Sequence, residues 1–86
     1  MRTIHKFPII FGEVVIKLPV LARVVDFAPQ NRDLFIWVDL YTSHPYVERR
    51  FQIFATSEEI PAHGRLEYVK TAHVGSCVWH LMEHTS

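Results

Sequence analysis

The stretch Cys77-Val78-Trp79-His80-Leu81-Met82-Glu83-His84 admits two readings, and the choice between them decides the fold. On a helix, His80, Glu83 and His84 spell H-x-x-E-H, the pattern in which two histidines one turn apart hold a zinc ion. On a strand the same histidines share a face about 13 Å apart, at roughly 3.3 Å per residue, too far to bind one ion. The local sequence favours the strand. Val78 and Trp79 are strand formers, the run follows Gly75-Ser76, and only Thr85 and Ser86 remain downstream to supply a third metal ligand. No metal site and no cofactor is expected. Trp79, Leu81 and Glu83 then point to one side of the strand, and His80, Met82 and His84 to the other.

A period of two recurs upstream. Glu13 to Leu18 sets Val14, Ile16 and Leu18 against Glu13, Val15 and Lys17. Leu21 to Ala28 alternates Leu21, Arg23, Val25 and Phe27 with Ala22, Val24, Asp26 and Ala28. Pro29-Gln30-Asn31-Arg32-Asp33 carries turn chemistry, and Leu34 to Tyr41 completes a hairpin. Tyr46 to Thr56 is another strand, with Val47, Arg49, Phe51, Ile53 and Ala55 on one side. Thr56-Ser57-Glu58-Glu59 matches a capping box, which predicts one short helical or 3₁₀ turn before Pro61. Arg65 to Val74 and Cys77 to His84 make the last hairpin, turning at Gly75-Ser76. The predicted fold is mainly β: one domain over 1–86, a small barrel or sandwich of six or seven mostly antiparallel strands, with at most one helical turn.

Composition narrows the function classes. Nine basic residues balance nine acidic ones, so no chain-wide field draws in nucleic acid or an anionic membrane. Apolar residues make up 49% of 86 residues, more than so short a chain can hide, which predicts a partner or a second copy of itself. One cysteine excludes an internal disulfide and suits a reducing compartment. The N-terminus carries no signal-peptide pattern and no segment approaches the length of a membrane span, so the expected location is cytoplasmic.

No enzyme signature emerges, and no catalytic residue is assigned. Cys77 reads as a small buried hydrophobe rather than a nucleophile. Ser76 lacks a nucleophile elbow, the glycines are isolated, and Glu58-Glu59 suits a helix N-terminus. His44 and His63 fall in loops. His80 reads first as a hydrogen-bonded structural histidine and second as a pocket residue. Two constellations suggest binding. Phe35, Trp37, Asp39 and Tyr41 line one face of a strand whose other face already supplies a core; a second sheet, an oligomer or a ligand would cover them. Arg49 and Arg50 project from opposite faces of one strand, and the planar fork of either could grip phosphate or carboxylate.

The order Lys6-Phe7-Pro8, Leu18-Pro19, Ala22, Ile36-Trp37-Val38, Arg50-Phe51-Gln52-Ile53, Thr56, Tyr68-Val69-Lys70-Thr71 and Val78-Trp79-His80-Leu81-Met82-Glu83 resembles a family of small uncharacterised proteins of tailed bacteriophages and prophages. The family's pattern closes the Arg50 strand with a Gly-Thr-Gly turn, where this chain has Ala55-Thr56-Ser57. As an anion-binding nest, such a turn would use both glycines, and this chain has neither. The resemblance implies action in the cytoplasm of a bacterial host, by occupying something host defence depends on. The expected function is a non-enzymatic, homo-oligomeric binding protein that sequesters a nucleotide-derived signal molecule of an antiviral pathway. Trp37 or Tyr68 would stack the base, and Arg50, Thr56 or His80 would hold polar groups. The alternatives are a protein–protein inhibitor of a host defence complex, similar to an anti-CRISPR, and a small hydrolase built on Cys77 or a histidine.

Overall fold

A computed structural model describes residues 1–62 and 64–85, so the expected loop position of His63 lies outside the described residues. The described chain forms seven strands: β1 (Arg2–Ile9), β2 (Glu13–Pro19), β3 (Arg23–Gln30), β4 (Asp33–Tyr41), β5 (Tyr46–Ala55), β6 (Leu66–Val74) and β7 (Cys77–His84). They make two antiparallel sheets, one in the order β1-β4-β3 and the other β2-β5-β7-β6. The sheets stack into a slab of 39 × 33 × 15 Å, a sandwich that does not close into a barrel. They come together along one side, where β3 lies against β6.

Strand β1 is the element that the sequence reading left unassigned. Its Pro8 donates no backbone hydrogen bond, which an edge strand tolerates, and β1 has β4 as its single neighbour. Alternation does the rest. Leu34, Ile36, Val38 and Leu40 of β4 face Leu18, Phe51, Ile53 and Leu81 of the second sheet in one continuous core. Phe51, Leu18, Ile36, Leu40 and Leu81 are fully buried, each contributing roughly 1.5–3 kcal/mol of transfer free energy.

Two bulges break the simple alternation. Between Val24 and Asp26 the β3 register shifts, so Val24 and Phe27 both reach the core although they are three positions apart. The Asp26 carboxylate accepts a hydrogen bond from the Phe27 N–H at this point (2.9 Å). The strict alternation expected for Leu21 to Ala28 therefore fails, and Leu21 lies in a turn with φ 67°. The β3–β4 hairpin is also tighter than expected. Gln30 pairs with Asp33, and the loop is Asn31-Arg32 with φ 52° and 75°, the type I′ geometry that suits the twist of the flanking strands.

The capping-box expectation is corrected. Residues 55–58 form a β-turn, with the Glu58 N–H donating to the Ala55 carbonyl (3.1 Å) and the Glu58 carboxylate accepting from the Ala55 N–H (2.8 Å). Ser57 sits at φ 71°, outside the helical region. The turn thus keeps at Ser57 the backbone conformation a glycine would supply, without the glycine.

The connection beyond this turn shapes the molecule. β5 and β6 are both antiparallel to β7, which lies between them, so they run parallel to each other. Their connection must travel from the Ala55–Trp79 pair back to the Leu66–His84 pair, about 17 Å along the sheet. The inner face is occupied by the other sheet, so the connection crosses the outer face. Phe54 and Met82 point outward by register, yet they are only 2% and 8% exposed. They are buried outside the main core, on the outer face of the sheet.

Phe54→Ala is expected to cost about 3–4 kcal/mol in urea unfolding, a core-like penalty on an outward face. Ser57→Gly is expected to gain about 0.5–1 kcal/mol in the same measurement by relieving the positive φ.

Candidate functional site

The outer face of the four-stranded sheet collects most of the residues the sequence singled out. His80 on β7 lies opposite Phe54 on one side and Thr71 on the other. Its Nε2 is 2.8 Å from Thr56 Oγ1, and its Nδ1 is 3.0 Å from Thr71 Oγ1. Thr71 Oγ1 is in turn 2.7 Å from the Tyr68 hydroxyl. A bulge between Tyr68 and Lys70 makes this possible. It moves Tyr68 and Thr71, three residues apart, onto the same face, where plain alternation would separate them.

A neutral imidazole has one donor and one acceptor, and hydroxyls can fill either role. Thr56, His80, Thr71 and Tyr68 therefore form one hydrogen-bonded line that is satisfied in either tautomer. His80 is held as a structural histidine is, and the far end of its line is open to solvent, with Tyr68 60% exposed.

Further along the same face, His84 pairs across the sheet with Arg50 and Leu66. Its Nε2 is 3.1 Å from Gln52 Oε1 and 3.6 Å from Glu13, which also binds Arg50 at 3.1 Å. These residues border an open pocket of about 440 Å³ lined by Val15, Glu48, Arg49, Arg50, Gly64, Arg65 and His84. Arg49, Arg50 and Arg65 line it together with Glu48, and two of the three guanidiniums are already paired, Arg49 with Glu83 and Arg50 with Glu13. Arg65 and His84 were not among the expected site residues. Nothing in the sequence places Arg65 beside Arg50; the crossover does, by returning the chain to that end of the sheet. Among the described residues no group of three His, Cys, Asp or Glu converges as a metal site would need.

Arg49 departs from the picture of a free arginine. It lies on the inner face at the end of the sandwich, with Nε and Nη2 bound to the Glu83 carboxylate (2.7 and 2.8 Å) and Nη1 to the Ala22 carbonyl. Cys77, expected to be buried, is exposed at the tip of the β6–β7 hairpin, where a two-residue loop leaves nothing above it.

Trp37 is not part of this site. It lies with Phe35, Asp39 and Tyr41 on the outer face of the three-stranded sheet, the opposite side of the slab, because even and odd positions of β4 face opposite ways and the even ones fill the core. Among the described residues no second sheet covers that face. Lys6 Nζ sits 4.6 Å from the Phe35 ring centre and donates to Gln30 (2.6 Å). Arg2 of β1 grips Asp39 through Nε and Nη2 (2.9 and 2.6 Å), and Arg23 of β3 approaches it at 3.8 Å. One carboxylate thus ties all three strands together. The Arg2 hydrogen bond holds the Asp39 carboxyl below its usual range, against a smaller opposing effect of desolvation, and Asp39 raises the Arg2 guanidinium.

Fold and site together define a small two-sheet β domain with an arginine-lined pocket and a hydrogen-bonded hydroxyl–imidazole line on one outer face. The chain belongs to the family described as Domain of unknown function (DUF7352), which it matches over residues 1–86. No curated protein and no solved structure matches it. Among the described residues no helix is long and apolar enough to cross a membrane.

Because the Asp39 carboxyl is depressed in the folded state, its contribution to stability is fully present above the unfolded value of about 3.9 and is lost as pH falls through the folded value. The gap in melting temperature between the native protein and Asp39→Asn should therefore be widest near neutral pH and close in acid. A gap that stays constant down to the acid limit would remove this account.

Proposed function

We propose that the protein is a non-enzymatic binding protein that takes a nucleotide-class anion in the pocket around Arg50, Arg65 and His84. The observation that carries this is an arginine-lined pocket of about 440 Å³ on the same sheet face as an exposed, hydrogen-bonded Tyr68. That volume falls in the ordinary range of small-molecule sites. Guanidinium forks match phosphate oxygens, and a phenol fixed by Thr71 offers a flat surface for a base. Thr56 and His80 supply further polar groups along the same face. In the wider role that the phage-family resemblance implies, the protein removes a nucleotide-derived signal from a bacterial antiviral pathway in the host cytoplasm.

A second reading has its own observation. The open aromatic stripe of Phe35, Trp37 and Tyr41, with Ile4 beside it at 56% exposure, has the composition of a protein-binding hot spot. On that reading the protein inhibits a host defence complex through the three-stranded face.

The two readings separate in one set of measurements. Against a panel of linear and cyclic nucleotides at millimolar concentration, at least one member should raise the melting temperature, since a ligand at a hundred times its Kd adds about 2.7 kcal/mol. Arg50→Ala should weaken that ligand about ten- to hundredfold, the cost of a charge-assisted contact, while Trp37→Ala should leave it unchanged. No stabilisation by any nucleotide would sink the pocket reading. Capture of one stoichiometric host protein, lost on Trp37→Ala, would then support the second.

A further inference from the structure

The four sheet edges are not equivalent. β3 and β6 each carry a bulge and lie against each other where the sheets meet. β1 and β2 end their sheets with unbroken register to a single neighbour. Unbroken edges invite pairing with another chain unless proline or like charges guard them. β1 is guarded on both counts. It has Pro8 within it, and Arg2, His5 and Lys6 stand without any acidic residue. Pairing β1 with its own copy about Ile4 would set Arg2 against Lys6.

β2 is different. Its proline is at the very end, and its charges are one acid and one base, Glu13 and Lys17, placed symmetrically about Val15. Antiparallel pairing of two β2 strands about Val15 puts Glu13 opposite Lys17 of the second copy, and the reverse. It also sets Val14 opposite Ile16, and Val15 against itself. Shifting the axis to Val14 or Ile16 loses both charge matches, and centring it on Lys17 opposes two lysines. Val15 is 47% exposed and would be covered by its own counterpart. The same axis carries the exposed Ile10 and Phe11 toward Pro19, Val20 and the exposed Leu21 of the second copy.

We propose that two copies associate through β2, antiparallel about a two-fold axis at Val15, joining their four-stranded sheets into one continuous sheet. This is an isologous contact, in which each patch is its own complement. Backbone hydrogen bonds along the free edge hold the copies together, and the two Glu13–Lys17 contacts set the register. Val15 also lines the arginine-lined pocket, so the axis places two pockets side by side and brings Lys17 of the second copy next to Glu13, the partner of Arg50.

Sedimentation velocity and native mass spectrometry of the full chain test this without any ligand. The native protein is expected at twice its 10.1 kDa chain mass. Glu13→Lys alone, or Lys17→Glu alone, opposes like charges at both ends of the contact and should weaken the dimer at least about tenfold. The double reversal should restore it, and mixing the two single variants should give a heterodimer, with circular dichroism confirming that each chain is folded. The mixing experiment separates loss of pairing from loss of fold, because a misfolded chain would not be rescued by its complement. A monomeric native protein overturns the proposal. So does a dimer that both single reversals leave untouched, or single variants that fail to recombine.

Discussion

Strand β7 lies between two strands that run parallel to each other, and much of the molecule depends on that arrangement. A hairpin can join neighbours that run in opposite directions, but β5 and β6 run the same way with a strand between them. Their connection has to retrace the length of the sheet and can do so only over the outer face. Phe54 and Met82 are therefore buried on a face that would otherwise be wet, and Arg65 is delivered beside Arg50 and His84. The burial of these two side chains and the arginine-lined pocket at the end of the crossover have one cause. Had β7 been placed at the edge, neither would exist in this form.

The two outer faces of the slab consequently differ in kind. On the four-stranded side, a strap of chain divides the surface into a dry part and a pocket, and the polar groups of the pocket hold one another in place. Arg50 is steadied by Glu13 and His84 by Gln52, while His80, outside the pocket on the same face, is held by two threonines. On the three-stranded side none of the described residues crosses the sheet. Its aromatic rings are framed by long cationic side chains that cover them in part, Lys6 over Phe35 and Arg2 beside Tyr41. A pocket whose donors are already oriented suits a small ligand of fixed shape, whereas a broad framed face suits another protein surface.

The fold class was legible in the sequence because alternation is a direct imprint of the pleat. It assigned β2, β4, β5 and β7 to their faces, and it read Cys77 to His84 as a strand despite a pattern that mimics a zinc helix. Legibility ended wherever one extra residue changes parity. The bulge after Tyr68 decides that Tyr68 and Thr71 share a face, and the bulge after Val24 decides that Phe27 is core; neither leaves a mark in residue type. The site was half legible for the same reason. Thr56, Tyr68 and His80 are joined in one line with Thr71, a residue that alternation hides. Trp37 was grouped with them on chemistry alone, and chemistry carries no information about which sheet a strand joins. Residues 55–58 show a local pattern losing to its setting. The hydroxyl and glutamate of a helix cap were present, and the glutamate does reach back to a backbone N–H, but in a β-turn that hands the chain to the crossover.

Arg49 connects parts of the chain far apart in sequence. Its guanidinium holds Glu83 on the same sheet and reaches the carbonyl of Ala22 at the threshold of the other sheet. Separating the sheets would strip this charge pair of its third partner and wet the end of the core in the same motion. The contact works as a latch between the two layers, and opening them takes the Ala22 carbonyl from the guanidinium, which keeps only its Glu83 partner. A slab only one core layer deep could peel like two leaves of a book; fastened at this corner, it has reason to melt as a single body.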